Sequence, residues 1–78
     1  MTSNNNVEQI AYESVSSIPT LEKNDNYRLG YNVYQALVGK LESIEVAVQS
    51  ANVRSEMKPT DICNTIREKL KSSGIEIK

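Results

Sequence analysis

Histidine, tryptophan and phenylalanine are absent from this 78-residue chain, and cysteine occurs once. A single cysteine cannot close an intramolecular disulfide, and without histidine the Cys and His clusters that hold zinc cannot be assembled. General acid–base chemistry near neutral pH would have to come from a carboxylate, Lys, Tyr or Cys with a strongly displaced pKa. There is no uninterrupted apolar run of membrane-spanning length. No nucleotide-binding glycine loop, phosphate loop or nucleophile elbow is present. The opening residues, Met1 to Asn6, lack the basic flank and apolar stretch of a secretory signal, so a reducing, cytoplasmic setting is the expectation. No metal and no cofactor are expected.

What is present is a lean core composition: 38% hydrophobic residues, of which the aromatics are four tyrosines. A chain this short hides only about 60% of its unfolded surface, so its own core gives little margin. The net charge of −1 conceals a gradient. Residues 1–26 set Glu8, Glu13, Glu22 and Asp25 against Lys23, residues 27–53 balance, and residues 54–78 carry an excess of two positive charges. That is far short of the basic density of most nucleic-acid binders.

Three segments carry helical periodicity, and the expected fold is all-α, one domain over residues 1–78 built as a three-helix unit with a long central helix. The Asn4-Asn5-Asn6 triplet reads as a disordered start over residues 1–6, with Asn5 or Asn6 available as an N-cap. A first helix from Val7 to Ser17 places Val7, Ile10, Ala11, Val15 and Ile18 on one arc interrupted by Ser14. Pro19 disfavours helix at Ile18, and the polar run to Asn26 favours a turn.

The second helix is expected to start after Asp25 or Asn26 and to run to Ala51. Tyr34, Leu37, Leu41, Ile44, Val48 and Ala51 step by alternating threes and fours, an a/d heptad register read as a self-association seam. Gly30 and Gly39 each cost about 1 kcal/mol inside such a helix, and Gly30 offers an alternative start near Tyr31. Tyr31, Val38, Val46 and Val53 lie on its nominally polar side, an apolar excess that points to assembly. A homodimer is therefore expected, because oligomerisation adds buried area to a small scaffold.

A third helix is expected from Pro59 or Thr60 to just before Gly74, with Ile62, Ile66 and Leu70 as its apolar stripe and Cys63 at the edge. Pro in the first turn, Asp61 near the start and Lys69 and Lys71 near the end suit that span. Residues 75–78 alternate as a short tail that can tuck Ile75 under the helix.

Two candidate surfaces follow. Tyr27, Tyr31 and Tyr34 neighbour each other on the central helix, with Arg28 and Asn32 as a polar rim, and tyrosine is enriched at binding hot spots. Thr60, Asn64, Arg67 and Lys71 form a row opposite the Ile62–Ile66–Leu70 stripe, with side chains suited to bases and phosphates. Carboxylates on exposed faces and a Cys63 without an activating partner make catalysis the poorest hypothesis. The expected function is a non-enzymatic regulatory adaptor or inhibitor that binds another protein. The alternatives are a DNA-binding transcription regulator that reads with residues 60–72, and a structural subunit of a larger assembly.

Overall fold

A computed structural model describes residues 3–19 and 21–75, with side chains from Val7 onward. Among the described residues there are four α-helices and no strands: α1 Ser3–Ser16, α2 Lys23–Leu37, α3 Ile44–Ala51 and α4 Pro59–Ser72. No helix among them is long and apolar enough to cross a membrane. Each helix packs on its neighbour in the chain, and α4 returns to α1, closing a ring around one core.

The long central helix expected from the periodicity does not form; it is two helices, α2 and α3. Its end is written in the backbone at Gly39, whose φ of +89° is left-handed. A glycine there stops a helix with no Cβ penalty. The Gly39 N–H donates to the Ala36 carbonyl at 3.2 Å and the Lys40 N–H to the Gln35 carbonyl at 2.8 Å, so these two carbonyls of the last turn of α2 are satisfied. Four residues after Gly39, Ser43 caps α3 by accepting a hydrogen bond from the Val46 N–H at 3.2 Å. Asn52, at φ 50°, closes α3 in the same left-handed region, which Asn tolerates better than most residues.

The break removes the proposed heptad seam. Tyr34 and Leu37 stay on α2 and Leu41 lies in the connection, while Ile44, Val48 and Ala51 turn inward on α3 and are buried. An a/d register requires a continuous helical phase, and the turn at residues 38–43 resets it. The three α3 positions are hidden by the chain's own helices, so they offer no face to a second chain. The apolar excess on the polar side is resolved in two ways. Val46 and Val53 are half-buried, whereas Tyr31 and Val38 remain exposed.

Smaller boundary differences have equally local causes. α1 is helical from Ser3 rather than Val7, because extension of an existing helix adds one hydrogen bond per residue fixed and needs no new nucleus. The disorder expected of residues 1–6 is therefore contradicted for Ser3–Asn6, and Asn5 and Asn6 lie inside the helix instead of capping it. α2 begins at Lys23 with Glu22 at the N-cap position, so Asp25 and Asn26 are helical residues, and the chain runs helically through Gly30. α4 matches its expected span, with Pro59 in the first turn and Gly74 at φ +88° after the end. The Ile75 N–H donates to the Leu70 carbonyl at 3.0 Å and its side chain packs against the core. The remainder of the tail, residues 76–78, lies outside the described residues.

The core gathers Ala11, Val15 and Ile18 from the α1 side, Leu29 and Val33 from α2, the inner face of α3, and Ile62, Cys63, Ile66 and Leu70 from α4. Ser14, the interruption in the α1 arc, is buried and donates its hydroxyl to the Ala11 carbonyl at 2.7 Å, so no polar group is stranded there.

Candidate functional site

α2 has two different faces. Leu29, Gly30 and Val33 point inward and are buried, while Tyr27, Tyr31 and Val38 carry the large apolar surface left exposed, at 58%, 51% and 38% of their full accessibility. With half-buried Tyr34 they step by four, three and four, a single stripe along the solvent side.

α1 buttresses this stripe through a residue not singled out by the sequence reading, Tyr12. Its ring lies against Gly30 so closely that a Cβ built at Gly30 would sit 2.3 Å from Tyr12 Cδ1. The same ring meets Tyr27 edge-on, centroids 6.0 Å apart at 74°, and the Tyr31 and Tyr34 rings lie 6.5 Å apart. Burial, followed by the neighbouring Glu8 carboxylate and the Tyr31 and Tyr27 phenols, pushes the Tyr12 phenol above its ordinary pKa. The four tyrosines thus form one aromatic surface across α1 and α2. A groove of about 210 Å³ between Tyr12, Lys23, Asn26 and Tyr27 opens at its end. Gly30 held the clue: a glycine persisting within a helix marks a close approach by a neighbouring element.

The expected polar rim is turned elsewhere. Arg28 Nε donates to the Ala51 carbonyl at 2.7 Å and Nη2 to Asp25 Oδ1 at 2.6 Å, clamping α2 to the end of α3. Asp25 also accepts from the Arg54 backbone N–H at 3.4 Å. Asn32 Nδ2 donates to the Ala47 carbonyl at 3.2 Å. Both side chains satisfy or meet the carbonyls of α3, so Arg28 and Asn32 are fold-holding residues first. The tyrosine stripe is left without a charge along its length.

On α4, the row opposite the core stripe is assembled as expected in position. Thr60, Asn64 and Lys71 are exposed, but Arg67 is half-buried and its Nη2 lies 3.2 Å from Glu45 Oε1. That carboxylate offsets the one guanidinium of the row, and Asp61 and Glu68 are exposed on the same helix. Cys63, expected at the edge of the stripe, is buried at the core's margin, where it lines a small cleft with Glu45 and Arg67. Burial raises its pKa, Arg67 partly counters this and Glu45 adds to it. A thiol so placed is a poor nucleophile.

The α3–α4 side bears a second cleft, about 320 Å³, walled by Val48, Val53, Met57, Pro59 and Ile62. The loop over it is pinned by Ser55, whose hydroxyl donates to the Pro19 carbonyl at 3.1 Å and accepts from the Met57 N–H at 3.2 Å. Among the described residues, no group of three or more His, Cys, Asp or Glu side chains is placed to hold a metal ion.

Comparison with protein families, with curated proteins and with solved structures returns no match.

Proposed function

We propose that the chain is a non-enzymatic protein-binding module, a small regulatory adaptor or inhibitor whose contact surface is the tyrosine face of α2. The observation that carries this reading is the placement of Tyr27, Tyr31 and Val38 together on one solvent-facing stripe, backed by Tyr12 and Tyr34. Tyrosine gives large contact area at small conformational cost and keeps a hydroxyl that tolerates water when unbound. Without histidine, and with its one thiol buried and its pKa raised, the chain has few groups suited to proton transfer or nucleophilic attack near neutral pH.

The test is a paired capture from native cells with the parent chain and with Tyr27→Ala/Tyr31→Ala. Both positions are exposed, so the variant is expected to keep its helical circular dichroism, with only a small drop in melting temperature from the lost Tyr12–Tyr27 edge contact. Partners that use this face should fall at least tenfold in recovery, since a central tyrosine truncation commonly costs more than 1 kcal/mol. Equal recovery by the two chains would refute the assignment.

The DNA-binding reading rests on the exposed Thr60, Asn64 and Lys71. A mobility-shift titration on mixed duplexes separates it from the first. The protein-binding reading expects no shift at low salt. A shift that weakens steeply with salt and is reduced by Lys71→Ala would replace it with nucleic-acid binding.

A further inference from the structure

The groove between α1 and the first turns of α2 has a polar wall that the tyrosine stripe lacks. Tyr12, Lys23, Asn26 and Tyr27 line it, so two aromatic rings, an ammonium and a carboxamide converge on about 210 Å³. Among the described residues, the Lys23 and Asn26 side chains have no hydrogen-bond or ion-pair partner. Asn26 is half-buried all the same, so its amide is left to water or to a ligand.

Each lining group narrows the occupant. Aromatic rings pack edge-to-face or offset, so a wall made by two rings at 74° suits a third flat ring. The Lys23 ammonium and the Asn26 Nδ2 are donors, and no carboxylate lines the groove, so the charge that suits it is negative. One ammonium with one neutral amide matches a single negative charge and leaves a phosphate dianion under-compensated. Sites for drug-sized ligands begin at about 300 Å³, so this one has room for a single ring on a short charged arm and not for a nucleotide.

We propose that the groove is a ligand site for a small aromatic carboxylate, its ring against Tyr12 and Tyr27 and its charge on Lys23 and Asn26. This goes beyond the protein-binding reading, with which it shares only Tyr27 and the backing ring of Tyr12. Two acids stand near the site and oppose an anion: Glu22, exposed and next to Lys23 in the chain, and Glu8, one turn before Tyr12 on α1. Neither lines the groove. Asp25, the remaining acid of the first turn, is held by Arg28. Lys23 is itself exposed, and an exposed charge pair adds little, so the ring contact and the charge are both needed. A ligand this small is expected to bind with a dissociation constant of about 1–10 mM.

A nuclear magnetic resonance titration of the full chain with sodium benzoate, at ionic strength held constant with sodium chloride, tests the site. Benzoate is expected to give saturable shifts of the Lys23, Asn26 and Tyr27 amides and of the Tyr12 ring. Benzyl alcohol, with the ring but no charge, and acetate, with the charge but no ring, should each bind at least about threefold more weakly, and benzylammonium more weakly still. Lys23→Gln, at an exposed position that leaves the helical spectrum intact, should bring benzoate down to the level of benzyl alcohol without changing benzyl alcohol itself. Lys23→Glu should reverse the order of benzoate and benzylammonium. Absence of saturable shifts up to 50-fold above the tighter expected constant overturns the site. Equal binding of benzoate and benzyl alcohol overturns the charge assignment, and equal binding of benzoate and acetate overturns the ring. None of these outcomes touches the paired capture, whose Tyr31 lies outside the groove, so failure here is distinct from failure of the protein-binding reading.

Discussion

Replacing Gly30 with alanine sets two ordinary effects against each other, and the structure decides which wins. In an isolated helix the change is stabilising by about 0.5–1 kcal/mol, because glycine loses more backbone freedom on folding. Here the added methyl would lie 2.3 Å from Tyr12 Cδ1, 2.8 Å from Cε1 and 3.2 Å from Cγ. The last atom is at the root of a rigid ring, so a small rotation of the ring's far end does not relieve the overlap. Either α1 shifts away from α2 or the ring swings out and gives up its edge contact with Tyr27. Overpacking of this kind costs about 1–3 kcal/mol, leaving a net loss of about 1–2 kcal/mol. For a domain of this size that lowers the melting temperature by roughly 5–15 °C. The decisive form is a double-mutant cycle read by thermal and urea denaturation. With Tyr12→Ala already in place the clash disappears, and Gly30→Ala should become neutral or stabilising by about 0.5 kcal/mol. If Gly30→Ala raises the stability of the parent chain, the close approach of Tyr12 to α2, and with it the buttressing of the tyrosine face, is wrong.

Three further predictions concern the joints of the fold and its buried ionisable groups. Ser43→Ala removes the side-chain cap of α3 and should cost about 1 kcal/mol in urea denaturation, with Ser43→Asp close to the parent. Arg28→Ala breaks the link to the Ala51 carbonyl and to Asp25; half of that side chain is solvated, so the expected loss is about 1 kcal/mol, with Arg28→Lys recovering only part of it because one ammonium lacks the fork geometry. The Cys63 and Tyr12 pKa values are both raised in the folded chain, so the unfolded chain releases these protons first and stability is expected to fall as pH rises above about 8.5. Melts of Cys63→Ala should show a shallower alkaline decline than the parent, and an identical pH profile would refute the contribution of the thiol.

How much of this was legible beforehand varies by element. α4 was readable almost in full, since Pro59, the Ile62–Ile66–Leu70 stripe and Gly74 are local signals that agree with one another. The positions of Tyr27, Tyr31 and Tyr34 on a common face were equally readable from spacing. The division of the central segment was not, although both halves of the signal were present. Gly39 and Ser43 are the stop and the cap, but an apolar periodicity that continues across them outweighs them when only pattern is counted. A turn of six residues that happens to preserve the three-and-four spacing is indistinguishable from continuous helix on a wheel.

Sequence alone therefore determined the helical class, the scarcity of catalytic side chains and the inward stripes of α1 and α4, because those depend on residue type and on neighbours within a turn. Tertiary structure decided the rest. Whether Ile44, Val48 and Ala51 face a second chain or their own core depends on the angle at which α3 leaves Gly39. That Arg28 and Asn32 serve α3 rather than a binding rim depends on which helix lies beside them. That Tyr12 joins the aromatic face depends on α1 crossing α2 at the one residue with no side chain. Each of these is a meeting of residues far apart in the chain, set by how whole helices pack and not by any local preference.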